Sequence, residues 1–152
     1  MAKLLGTGGV QRFRLLNQSW SYEGVDSNGK KIDSKRYEDR VVMVVFYELA
    51  SPENARLFSS MSALYKVIFG RSVDFICVGI DTGKYSSEAQ NIVPAPFQAL
   101  ETDLSSPNSY LTQCPTRRFP YAILINKQGI VDSINVTLST VKTRIEYLLS
   151  TN

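Results

Sequence analysis

The spacing of apolar residues changes period at Ser51. Val41–Phe46 is an unbroken, β-branched-rich apolar run, which predicts a strand covered on both faces. From Pro52 onward the apolar residues fall at Leu57, Phe58, Met61, Leu64, Tyr65 and Ile68, one face of an amphipathic helix that Gly70 stops. Ser51 between them is an expected N-cap, with Pro52 at the first helical position and Glu53 where the helix dipole favours an anion. Whatever residue 51 carries is therefore held at the positive end of a helix.

The rest of the chain follows the same two periods. Residues 1–18, with Gly6, Gly8 and Gly9, predict an irregular N-terminal extension leading to a short extended piece. Trp20–Val25 and Lys31–Ile32 flank Asn28-Gly29, a dipeptide suited to the positive-φ turn of a β-hairpin. Ser34–Glu38 predicts a helical turn. Val73–Ile80 is a second buried strand, Ser86–Ile92 a short helix closed by Pro94 and Pro96, Phe97–Leu100 a short strand, and Pro107–Gln113 a helical turn. Tyr121–Ile125 and Ile130–Val136 are strands joined through Asn126–Gly129. Leu138, Val141, Ile145, Leu148 and Leu149 mark a closing amphipathic helix. Strands separated by helices favour a parallel core, and the closing hairpin adds antiparallel strands. The fold class expected is α/β: a three-layer α/β/α sandwich with a mixed central sheet and an N-terminal β-hairpin.

Composition narrows the function. A chain of 152 residues with 43% hydrophobic and 20% charged residues is expected to form one globular domain over residues 1–152. The net charge of +3 is too small and too dispersed to predict a nucleic-acid surface. No apolar run is long enough to span a bilayer, and the first residues do not form a signal peptide. Cytoplasmic residence is the expectation for the chain as written, and an extracytoplasmic one if it is a domain of a longer protein. There is no histidine, so no His-based general base, Ser-His or Cys-His pair, or imidazole metal ligand is available within the chain. Cys77 and Cys114 are far apart and make no CxxC, which argues against zinc. No cofactor and no metal are expected.

Four pieces in this order resemble a known family: the hairpin DSNGKKID, the segment VVMVVFYELASPEN, the strand VDFICVGID, and FPYAILINKQGIV. Together they are similar to the thioredoxin-like thiol–disulfide oxidoreductases of the TlpA/ResA type and the wider AhpC/TSA grouping, over about Ser21 to Leu149. The resemblance implies that Pro120 is the family's cis-proline beside the helix N-terminus; on the residues alone it is a trans proline opening an edge strand. It also implies that the attacking cysteine falls on Ser51 and the resolving cysteine on Asn54. Neither position can hold a disulfide, and a serine without a base does not ionise near neutral pH. The family's buried proton-relay carboxylate would fall at Val45 or Leu57, both apolar.

Each candidate carries a plainer reading. Ser51 serves as an N-cap as readily as it marks a lost site. Glu48 is either an acid of the strand-to-helix loop or a solvated carboxylate. Cys114, in the loop leading to Pro120, is either a lone redox thiol activated by Arg117 and Arg118 or a small inert residue; Cys77 reads as core. A Cys77–Cys114 bridge stays open from the sequence. Arg117 and Arg118 beside Phe119-Pro120 suit an anion or an acidic peptide, or are simply solvated. The expected function is a redox-inactive protein-binding or structural module that engages a protein or peptide through Ser51, Pro52, Arg117, Arg118, Phe119 and Pro120. The alternative is a divergent oxidoreductase or peroxidase using Cys114. Oligomeric state is left open.

Overall fold

The computed structural model describes residues 16–20, 23–26, 31–68, 71–80, 82, 84–85, 93, 97–101 and 118–151. Strand β3 (Val41–Glu48) is its centre: Val41 through Tyr47 are all buried, as an apolar run on a doubly covered strand requires. It pairs in parallel with β4 (Val73–Ile80) from Val41↔Val73 to Glu48↔Ile80, and antiparallel with β6 (Tyr121–Ile125) from Val42↔Ile125 to Phe46↔Tyr121. β5 (Gln98–Glu101) adds in parallel to β4, and the hairpin β1 (Glu23–Asp26) and β2 (Lys31–Asp33) continues the sheet antiparallel from β5. β7 (Val131–Ile134) closes the other side against β6. Among the described residues the order is β2-β1-β5-β4-β3-β6-β7, a mixed sheet.

Strand alternation sorts the core into two layers. Met43, Val45, Tyr47, Phe75, Cys77, Ala122 and Leu124 face α1 (Asn54–Ile68) and α2 (Val141–Ser150), which bury Leu57, Phe58, Met61, Leu64, Ile68, Val141, Ile145 and Leu148 against them. Val42, Val44, Phe46, Ile76, Val78, Ile80, Tyr121, Ile123 and Ile125 form the opposite layer, with Trp20 and with Tyr37 of the 3-10 turn Ser34–Tyr37. Both described α-helices lie on the first face. The helix expected at 86–92 and the helical turn expected at 107–113 fall outside the described residues.

Several boundaries differ from expectation. α1 begins at Asn54 rather than Pro52, because residues 52–53 form a turn before the helical ladder starts. The last core strand is Val131–Ile134 rather than Ile130–Val136: Asn135 takes a left-handed φ of 52° and the Val136 amide turns to donate to the Ala122 carbonyl at 3.0 Å. The fifth strand is Gln98–Glu101, shifted one residue from Phe97–Leu100. The β6–β7 turn forms as its residues dictate: Asn126 Oδ1 accepts from the amides of Gln128 and Ile130, each at 3.0 Å, and Gly129 supplies a φ of 78°.

Candidate functional site: the α1 tip and the trough beside Pro120

β3 leaves the sheet at Glu48 and turns sharply. Leu49 still donates its amide to the Ile80 carbonyl at 2.9 Å, Ala50 takes a φ of 65°, and the Ser51 amide donates back to the Glu48 carbonyl at 3.3 Å. Ser51 Oγ accepts from the Glu53 amide at 3.2 Å, an i, i+2 bond that closes the turn ahead of α1, so Ser51 stands before the N-cap position expected of it. Its hydroxyl therefore satisfies a backbone donor at the helix tip.

Asn54 adds something that sequence reasoning missed. It is buried, and its side-chain Nδ2 donates to the Glu48 carbonyl at 2.9 Å. One carbonyl thus receives two donors, Asn54 Nδ2 and the Ser51 amide, and the strand end is tied to the helix start from both sides. Amide donors do this where a thiol pair would not. Glu48, expected as a loop acid, is the last residue of β3, and its carboxylate accepts the Thr82 hydroxyl at 2.7 Å, linking the end of that strand to the segment after β4.

The other sulfur in reach of description is inert. Cys77 is a free thiol, fully buried opposite Val45 in the β3–β4 register, and burial pushes its pKa up to about 12. Cys114 and Arg117 fall outside the described residues. Arg118 is exposed and Phe119 partly buried against the second core layer. The Phe119–Pro120 peptide bond is cis and Pro120 is exposed.

Pro120 closes one end of a trough of about 340 Å³. Its floor is the cross-strand pair Val45 and Ala122, directly opposite in the β3–β6 register. One wall is the i, i+3, i+4, i+7 row of α1 and the turn before it: Glu53, Arg56, Leu57 and Ser60. The other is the β7–α2 connection, Asn135 to Leu138, which the Val136–Ala122 hydrogen bond holds in place. The hollow exists because Ala122 is the small residue of an otherwise bulky strand, so no side chain rises from the floor to fill the space under α1. Of the five residues expected to bind that the structure describes, Pro120 lines it, and Ser51, Pro52, Arg118 and Phe119 do not. Val45 and Leu57, noted in the sequence as apolar where a relay carboxylate would fall, both line it. The signal available beforehand was the lone alanine in Tyr121–Ile125 opposite the apolar row of α1.

No metal-binding group of three or more acidic, Cys or His residues occurs among the described residues. No helix there is long and apolar enough to cross a membrane.

The arrangement of a parallel β3-α1-β4 unit, a cis proline beside the helix tip, and a closing antiparallel β6-β7-α2 unit matches solved structures over most of the chain. The thioredoxin domain of a thiol-disulfide oxidoreductase from Bacteroides vulgatus superposes with a TM-score of 0.71 at 12% identity, covering 89% of this chain and 98% of that one. The fold is thioredoxin-like. A thiol:disulfide interchange protein from Bacteroides sp. gives a TM-score of 0.68 at 12% identity, over 90% of this chain and 91% of that one. The exposed lipoprotein thioredoxin of Streptococcus pneumoniae gives 0.64 at 16% identity, over 84% and 99%. No protein-family model matches the sequence, and no curated protein does. The β3–α1 junction of this chain carries a hydroxyl, Ser51, and a carboxamide, Asn54.

Proposed function

We propose that this thioredoxin-like chain is a redox-inactive module that binds a protein or peptide at the face shared by Ser51 and Pro120. The observation that carries this reading is the chemistry of the α1 tip. Ser51 and Asn54, the positions that the family resemblance assigns to the two cysteines, are both engaged in backbone hydrogen bonds that build the junction. A dithiol mechanism needs a thiolate to attack and a second thiol to resolve the mixed disulfide. Neither residue supplies either, and the buried Cys77, held neutral, offers no substitute. What survives is the surface around the tip: a concave, largely apolar trough ending at an exposed proline, the kind of site that binds rather than reacts.

The test is reduction of insulin disulfides with dithiothreitol as electron donor. The expected result is a rate no faster than the donor alone. Turnover comparable with that of an ordinary thioredoxin would end the reading.

A further inference from the structure

We propose that residues 17–20 form a strap that opens and closes as one local unit and so gates the outer edge of β7. Ser19 pairs antiparallel with Ile130, and three backbone bonds fasten the segment there. The Asn17 amide donates to the Val131 carbonyl at 2.9 Å, the Val131 amide to the Gln18 carbonyl at 2.9 Å, and the Trp20 amide to the Gly129 carbonyl at 2.7 Å. Little else holds the first half of the strap. Asn17, Gln18 and Ser19 are exposed, and none of their side chains takes part in a hydrogen bond or ion pair among the described residues.

The anchor is Trp20, 7% exposed, which lies in the second core layer against Tyr37 with ring centroids 6.1 Å apart. Tyr37 is equally buried, and its hydroxyl has no hydrogen-bond partner. A buried donor left unsatisfied destabilises the closed state. Lifting Trp20 away admits water to Tyr37 and removes that penalty, so the contact that seats the strap also favours its release. A segment tied by a few exposed backbone bonds, with an unsatisfied group under its anchor, belongs to the low-stability end of a fold. Release has a second effect. The amide and carbonyl of Val131 lose their partners in the strap and become an open sheet edge, the kind that accepts an extended segment of another chain.

The experiment is native-state amide exchange on the whole chain, read by NMR for wild type, Tyr37→Phe and Asn17→Pro. In wild type the Trp20 and Val131 amides are expected to exchange on the order of a hundredfold or more faster than the slowest amides of β3 and β6. Both should show the same small dependence on urea, the signature of one shared local opening. Tyr37→Phe keeps the ring and removes the unsatisfied hydroxyl, and is expected to slow both amides roughly tenfold. Asn17→Pro removes one donor and the φ of 65° that proline cannot adopt, and is expected to speed both roughly tenfold. Exchange at Trp20 and Val131 as slow as in β3 and β6 would show that the strap opens only with the whole fold, and would overturn the proposal. So would unequal urea dependences for the two amides, or exchange there unchanged in either folded variant.

Discussion

Asn54 carries more of the α1 junction than its neighbours do. Its amide is the buried donor to the Glu48 carbonyl, and the Ser51 amide, at 3.3 Å, is the longer of the two bonds to that atom. Asn54→Ala should therefore cost about 1–2 kcal/mol in urea unfolding, the value of a buried hydrogen bond removed from one side. An unchanged midpoint would show that the bond does not hold the junction. Cys77 makes an independent prediction. With burial raising its pKa to about 12, the thiol is neutral near physiological pH. In a Cys114→Ser background, Ellman's reagent should reach it only on unfolding, and rapid modification of that folded variant would contradict its placement. Part of this scale was legible beforehand: Cys77 as core, and Val45 and Leu57 as apolar, whereas Ser51, expected as a cap, closes the turn ahead of α1. The role of Asn54 was not, because it depends on a carbonyl six residues earlier being turned toward it by the positive φ of Ala50.

Among the elements, α2 is fastened to the β6–β7 hairpin at two places. Lys127, in the turn, donates from Nζ to the Leu149 carbonyl at 2.9 Å and the Thr151 carbonyl at 3.3 Å, supplying cationic donors to the carbonyls that a helix end leaves unpaired. Lys127→Met should cost roughly 0.5–1 kcal/mol and speed amide exchange in the last turn of α2. Unaltered exchange there would count against the cap. Nearer its start, Arg144 grips Asp132 of β7 with two bonds, Nε at 2.7 Å and Nη2 at 2.6 Å. That hydrogen bonding, Arg144 first and Ser133 after it, holds the Asp132 carboxyl below its ordinary range. A carboxyl with a lowered folded pKa stabilises the fold above its unfolded value, and the contribution fades as pH falls through the folded one. Acidification across that window should therefore narrow the stability gap between wild type and Asp132→Asn. A gap independent of pH would rule the pair out as a contributor. The described strands and α-helices, apart from their ends, were readable from period alone. The trough was not, since Val45 and Ala122 become neighbours only through an antiparallel register joining β3 to a strand far along the chain.

For the whole molecule, the order of the described elements was legible because the buried runs and amphipathic rows each contain a complete local signal. The position of the trough was legible only as far as Pro120. The rest arises from packing: a small residue in β6, a left-handed Asn135, and a loop drawn to the strand edge by one backbone bond. The central claim is that this chain retains a thioredoxin-like helix tip without the sulfur that would make it reactive. Ser51→Cys/Asn54→Cys tests that most directly, assayed beside wild type for insulin-disulfide reduction. The account predicts a wild type at background and a double variant that forms a disulfide on oxidation and gains turnover from a thiol placed at the positive end of α1. Turnover by the wild type, or a folded double variant whose new cysteines neither pair nor react, would contradict it.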